Sequence, residues 1–146
     1  MTILVKQRTP HDCAICCMAM VTGRIYQEVI DIVGDAFDPE KGIRRDQEAL
    51  KRLGFNYTFE NGEAVGDIVC THRGFYISPE FYRSMAWGRR ALMSVPSLNY
   101  EGSLHMVYFD GINIFDPSPG KTYTQFRDLR PDEMVLFREI GPPPGS

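Results

Sequence analysis

The feature that most constrains the fold is the stretch from Cys13 to Val21, which contains no charged side chain. At about 100° per residue, apolar side chains lie on every side of a helix built from this stretch. A helix on the surface of a small domain would instead show one charged face. We therefore expect a buried central helix that ends at Gly23.

A polar loop, residues 7–12, leads into this helix and places Cys13 in its first turn. Pro10 disfavours helix at Thr9, and Asp12 can cap the first turn. The helix dipole favours thiolate over thiol at that end, although the charge of Asp12 partly opposes it. Cys13 is therefore the candidate nucleophile, with a buried structural cysteine as the alternative.

The length of 146 residues fits one domain, which we place at residues 1–140. Residues 141–146 read Gly-Pro-Pro-Pro-Gly-Ser, contain no core-forming side chain and are predicted to be a flexible tail. Three of the four cysteines crowd into the apolar helix, at Cys13, Cys16 and Cys17. Ordinary disulfides do not form between adjacent turns of one helix, so we interpret Cys16 and Cys17 as packing residues.

Charge and hydropathy limit the partners that the chain can have. The formal charge of −3 gives no electrostatic reason to expect nucleic acid or an anionic membrane as a partner. The sequence shows neither an apolar run of membrane-spanning length nor an export signal, and we expect a cytoplasmic protein without a cofactor. The partner to expect is a protein or peptide substrate, and the oligomeric state stays open.

The order of the predicted elements indicates the fold class. Periodicity and helix stop signals predict helices first, at 13–22, 26–33 and 45–53, and a short helix at 78–87 that Ser78 caps. Strands follow in the second half, at 91–95, 104–110, 112–116 and 134–138. Residues 2–5 and 55–59 are also β-prone, and residues 60–88 are the least readable part. Without regular βα alternation this order predicts an α+β fold.

Three further residues complete a set for thiol catalysis, which needs a base, a group that orients the base and a donor for the oxyanion. His105 lies in the predicted strand 104–110, and Asp116 ends the strand that follows across the Asp110-Gly111 turn. The two side chains can therefore meet at one end of the hairpin. Gln7, in the loop before Cys13, can bring an amide N–H beside the sulfur.

The order Gln7, Asp12-Cys13, His105 and Asp116-Pro117 resembles the papain-like cysteine peptidases, and most of all the C39 peptidase and C39-like branch. The resemblance extends over residues 18–23, 42–55 and 105–117. That branch is best known from domains that remove double-glycine leader peptides during bacteriocin export. The sequence departs from the family in having Ala14 where glycine commonly follows the cysteine, and residues 60–88 follow no pattern of the family.

The resemblance implies a papain-like fold, in which a helical half with the Cys-bearing helix packs on a C-terminal antiparallel sheet. It implies Cys13 as nucleophile, His105 as general base and acid, Asp116 as orienter of the imidazole and Gln7 as oxyanion donor. The implied activity is hydrolysis of a peptide bond, with cleavage after a small-residue or glycine motif as one form. A free-standing bacterial or phage protein is the source that the resemblance suggests.

Several alternatives stay open at the level of sequence. The same residues serve deamidation or transglutamination of a protein substrate, and a catalytically silent protein-binding domain could share the fold. Cys13, Cys16, Cys17, Cys70 and His72 could on paper form a zinc site, but a wholly apolar helix is a poor place for converging ligands, and we predict no metal. Trp87, Arg89 and Arg90 are candidate substrate contacts, with solvated surface charge as the alternative for the two arginines.

Overall fold

The computed structural model describes residues 2–73 and 78–138, which form a mixed α+β structure. Its four α-helices are α1 (Cys13–Thr22), α2 (Tyr26–Val33), α3 (Asp46–Arg52) and α4 (Pro79–Ala86). The strands are β1 (Phe37–Asp38), β2 (Gly42–Ile43), β3 (Phe59–Glu60), β4 (Glu63–Ala64), β5 (Ile68–Arg73), β6 (Ala91–Pro96), β7 (Leu104–Phe109), β8 (Ile114–Phe115) and β9 (Glu133–Phe137). Two short hairpins, β1–β2 and β3–β4, accompany one antiparallel sheet in the order β5-β9-β6-β7-β8.

The central helix α1 confirms the prediction from its sequence. Every residue from Ala14 to Thr22 is buried. Gly23 ends the helix with a φ of 72°, and its N–H donates to the Ala19 carbonyl over 2.9 Å. This left-handed conformation is inexpensive for glycine and costly for other residues, which is why the helix ends there.

The core consists of two layers, one on each face of the sheet. Alternate residues of the central strands belong to different layers, as Leu92 and Met93 of β6 do. The layer that contains Leu92 also contains α1 and the buried sides of α2 and α3, whereas α4 lies in the layer that contains Met93. Because both faces are covered, β6, β7 and β9 are apolar at consecutive positions instead of alternating with polar residues.

Helix α4 begins as its sequence predicts. Ser78 is the N-cap, and its hydroxyl accepts a hydrogen bond from the Phe81 N–H over 3.3 Å. Proline occupies the first helical position, where its missing N–H removes no helical hydrogen bond.

The β-prone segments were predicted less well than the helices. Residues 2–5 form no strand, and only Phe59 of the alternating residues 55–59 lies in one. Strand β5 was missed in the segment 60–88, because an edge strand paired only with β9 in the described sheet does not need a regular apolar pattern. The predicted tail, 141–146, lies outside the described residues.

Across the described ranges, no single helix is both long and apolar enough to cross a membrane. Among the described residues, one pair of helical segments, α1 and residues 26–36, together reaches that length and hydropathy, and this pair is bent by 107°.

Candidate active site

Cys13 is the first residue of α1 and is partly exposed, whereas Cys16 and Cys17 are fully buried. The Met106 N–H of β7 donates to the Cys13 sulfur over 3.4 Å, and the Cys17 thiol donates to the Met106 carbonyl over 3.3 Å. The backbone of one residue, Met106, therefore contacts two sulfurs that lie one helical turn apart. These contacts fix the start of α1 against β7.

The three cysteines of α1 differ in burial, and burial raises the pKa of two of them. It raises the pKa of Cys16 to about 12, with the charge of Asp12 adding to the effect. It also raises the pKa of Cys17 well above the ordinary thiol value. Both groups therefore stay protonated near neutral pH, which agrees with their predicted packing role. Cys13 alone among them reaches a groove at the surface.

Asp12 has a different role from the predicted cap. Its side chain makes no hydrogen bond to the first turn of α1, although its backbone carbonyl accepts from the Cys16 N–H. The carboxylate is fully buried and accepts from the N–H groups of Arg8 and Thr9 and from the Tyr26 hydroxyl, the last over 2.7 Å. Asp12 thus folds the loop of residues 7–12 back onto α2. In the sequence Asp12 is an acidic residue just before a helix, and this pattern does not distinguish a helix cap from an acceptor for the preceding loop.

His105 and Asp116 meet as the hairpin predicted. His105 is in β7, and Asp116 directly follows β8, whose Phe115 pairs with Tyr108. His105 Nε2 lies 2.5 Å from Asp116 Oδ1, and both side chains are buried. The Nε2 contact leaves Nδ1 as the ring nitrogen that is available to Cys13.

The surroundings of this pair favour a charged imidazolium. Burial acts to lower the pKa of His105, but the hydrogen bond to Asp116 and the proximity of Cys13 outweigh it and raise the pKa to about 9. Burial likewise opposes ionisation of Asp116, but its bonds to His105 and to two backbone N–H groups lower its pKa below the usual value. The pair is therefore His⁺–Asp⁻ near neutral pH.

Sequence reasoning missed the groups that hold Asp116. The Ser118 N–H donates to its Oδ1 over 2.9 Å, and the Tyr123 N–H donates to its Oδ2 over 2.8 Å. Asn99, from the loop between β6 and β7, donates to the Ser118 hydroxyl and to the Lys121 carbonyl. The Asp-Pro-Ser-Pro-Gly sequence signals a turn, but not that a distant asparagine would hold it.

Gln7 lies beside the same site. Its backbone N–H donates to the Pro117 carbonyl over 2.8 Å, which ties it to the residue that follows Asp116. Its side-chain amide donates to the Thr9 carbonyl over 3.0 Å. The amide nitrogen carries a second hydrogen, and Gln7 and Cys13 line one groove.

Two grooves meet at Cys13 and His105. The long groove, of about 830 Å³, is lined mainly by the loop of residues 7–11, by residues between 97 and 104 and by residues 118–120. The short groove, of about 310 Å³, extends past Ala14 and Ile43. Cys13, His105 and Leu104 line both grooves, so a bound chain could pass across the sulfur from one groove to the other.

The structure does not bring Trp87, Arg89 or Arg90 to these grooves. They precede Ala91, which pairs with Phe109, whereas His105 pairs with Val95 near the other end of the same two strands. Arg90 is buried and donates to the Val21 carbonyl at the end of α1 over 2.7 Å. Trp87 is 53% exposed, and the Arg83 guanidinium lies 5.0 Å from its ring centroid.

The residues considered for zinc are divided between the two layers of the core. Cys17 of α1 lies in one layer, and Cys70 of β5 packs against the other. The side chain of His72 lies outside what the structure describes. Within the described part, no three His, Cys, Asp or Glu side chains are grouped so that they could hold a metal ion.

Comparison of the chain with models of known protein families, with curated proteins and with solved structures found no match. The geometry of the site is therefore the basis on which a function can be inferred.

Proposed function

We propose that this protein is a cysteine peptidase with a papain-like fold, in which Cys13, His105 and Asp116 form the catalytic triad. The observation that carries the proposal is the convergence of three distant segments on one point. A cysteine at the start of a buried helix, a histidine on a strand and an aspartate after the next strand lie together where two grooves meet. Cysteine, base and orienter are the parts that thiol acyl transfer needs.

In the proposed cycle His105 carries a proton, and the thiolate form of Cys13 attacks the carbonyl carbon of the scissile amide to form a tetrahedral intermediate. His105 then gives its proton to the amide nitrogen, the C–N bond breaks and the amine leaves. Water, deprotonated by His105, attacks the thioester, and collapse of the second intermediate releases the carboxylic acid and regenerates Cys13.

Asp116 serves this cycle by orienting the imidazole and stabilising its positive charge. Its bonds to His105, Ser118 and Tyr123 occupy both carboxylate oxygens. Such a group fixes the ring so that the other nitrogen faces the sulfur, without taking the proton itself.

Gln7 is the proposed oxyanion donor. The bond between its backbone N–H and the Pro117 carbonyl holds it near the triad, and one amide hydrogen remains after the bond to the Thr9 carbonyl. Donors that are fixed before the reaction stabilise developing negative charge without reorganising. The buried carboxylate of Asp12 supports this donor indirectly, because it folds the loop that carries Gln7.

Alkylation of the thiols tests the nucleophile. We expect iodoacetamide to modify Cys13 at pH 7 much faster than Cys70, whose pKa is raised by burial. Peptide mapping by mass spectrometry reads both rates in the same sample, so Cys70 is the internal control. Equal rates at the two thiols, or a Cys13 rate that His105→Gln does not change, would contradict the proposal.

Peptide digestion tests the reaction. Incubation with a proteome-derived peptide library, read by mass spectrometry, should give new chain termini that are absent with Cys13→Ala. A mass increase of about 1 Da at glutamine, with intact chains, would instead identify deamidation. If neither product forms and Cys13 is alkylated slowly, the result would contradict an enzymatic function and favour a protein-binding domain.

A further inference from the structure

The long groove differs in charge from the molecule as a whole. The chain carries 19 acidic and 16 basic residues, which gives a formal charge of −3. Among the described residues, however, those that line the long groove include Arg8 and Lys41 but no aspartate or glutamate. His105 also lines it, but its charge is paired with that of Asp116.

The two surface cations are available to a ligand. Arg8 and Lys41 are exposed, and neither forms an ion pair with any residue in the described part of the chain. The Arg8 guanidinium lies 3.9 Å from the ring centroid of Tyr26, which holds it at the side of the groove. Lys41 lines both grooves and so lies close to the point where they meet.

Two acidic residues close to the long groove, Asp12 and Asp116, do not line it. Asp12 and Asp116 are buried, and backbone N–H groups donate to both carboxylates. The short groove is different, since Asp46 and Glu133 line it together with Arg44. Among the described residues, the lining of the long groove therefore contains basic but no acidic side chains, whereas the lining of the short groove contains both.

The lining of the long groove also includes two exposed apolar side chains. Tyr100 is 61% exposed and Leu104 is 57% exposed, although both are large hydrophobic residues. Side chains of this kind around a groove with a few placed charges are typical of a ligand site.

We infer that the long groove binds an acidic peptide segment, with Arg8 and Lys41 pairing with its carboxylates and Tyr100 and Leu104 contacting its apolar side chains. The inference rests on the proposed function in taking the occupant to be a peptide. Charge complementarity favours an acidic peptide over a basic one, because the surface-charged side chains that line the groove, Arg8 and Lys41, would repel a lysine-rich segment.

Binding to the uncleaving variant Cys13→Ala tests the inference apart from catalysis. The probes are three pools of eight-residue peptides with a neutral fluorophore and the same randomised uncharged positions. They differ only in two fixed residues, which are Glu, Gln or Lys. Fluorescence anisotropy at low salt should show the Glu pool binding about 10-fold more tightly than the Lys pool, since exposed charge pairs contribute about two- to five-fold each. Added salt should reduce the difference.

Charge reversal locates the effect. Arg8→Glu with Lys41→Glu, made in the Cys13→Ala chain, should abolish or invert the preference for the Glu pool. The matched control, Lys51→Glu with Arg127→Glu, changes net charge equally outside both grooves and should keep the order of the pools. Equal binding of the Glu and Lys pools, no binding of any pool, or loss of the preference in the control would each overturn the inference.

Cleavage by the unmodified chain separates the two proposals. A preference for acidic peptides without cleavage would support the proposed binding groove and contradict the proposed peptidase function. Cleavage that does not depend on peptide charge would support the peptidase function and contradict the preference of the groove for acidic peptides.

Discussion

The two ends of the β6–β7 strand pair show how differently one pair of strands can use buried basic residues. Near one end, His105 contacts Asp116 and lines both grooves. At the other end, Arg90 is equally buried but donates to the Val21 carbonyl, and its guanidinium lies 5.8 Å from the Phe137 ring centroid. One cation reaches a groove, and the other supports the end of a helix.

This difference shows that burial of a charged group does not by itself indicate function. A buried charged group needs a hydrogen-bond partner wherever it lies, and His105 and Arg90 each have at least one. The His105 end differs because a nucleophile and an open groove share the position. Substitutions at the two ends should therefore separate activity from stability.

The largest effect is expected from removing the reacting groups. Cys13→Ala and His105→Gln should each lower kcat/KM for a cleaved peptide by about 10³-fold or more, because loss of one member of a catalytic unit removes most of the rate enhancement that the unit provides. Both proteins should keep the circular dichroism spectrum of the parent chain. Arg89→Gln, at the opposite end of the strand pair, is the control and should keep kcat/KM within about two-fold. Comparable losses in Arg89→Gln would show that the substrate reaches that end.

Asp116→Asn should have the next largest effect, a loss of about 10²-fold in kcat with a small change in KM. The amide is nearly isosteric, but it cannot stabilise the imidazolium as a carboxylate does. The pH profile supplies a readout that a merely structural role would not change. We expect the upper limb, which reports loss of the His105 proton, to move to lower pH. An unchanged upper limb would contradict the orienting role.

The stability of the fold should depend on pH through His105. Its pKa of about 9 in the folded chain lies above the ordinary histidine value of 6.5. The folded state therefore binds the proton more tightly, and the resulting stabilisation is fully present below pH 6.5 and is lost as the pH rises through 9. Urea unfolding between pH 6 and 10 should show this decline, and His105→Gln should flatten it. An equal slope in both proteins would contradict the ion pair.

Arg90→Met should affect stability and not turnover. The substitution leaves the Val21 carbonyl without its donor, and we expect a cost of about 1–3 kcal/mol in the free energy of unfolding. kcat/KM should stay within about two-fold of the parent value under conditions where the protein is folded. Trp87→Ala, at an exposed side chain, is the matched control and should change stability by about 0.5 kcal/mol or less. A large loss of kcat/KM in either variant would contradict the view that the His105 end serves activity and the Arg90 end serves stability.

The helices were the most predictable part of the fold, because their signals are local. Residues 26–33 show apolar spacings of three and four, and the structure has α2 at those positions. Ser78 and Gly23 mark a helix start and a helix end through hydrogen bonds to near neighbours in sequence. Strand β5 was missed because its pairing with β9 joins segments that are distant in the chain.

Within the candidate site, the sequence by itself determined the residue types and their order: a cysteine at the start of an apolar helix, a histidine in a strand and an aspartate after the next strand. Such features can be predicted from the sequence because they depend on the few residues around each one. Only the tertiary structure decided that Asp12 folds the Gln7 loop, that Arg90 is buried at the end of α1 and that Arg8 and Lys41 line one groove. Those outcomes depend on contacts between segments far apart in sequence, and the physical reason is that a polar side chain is placed by whichever distant partner satisfies it.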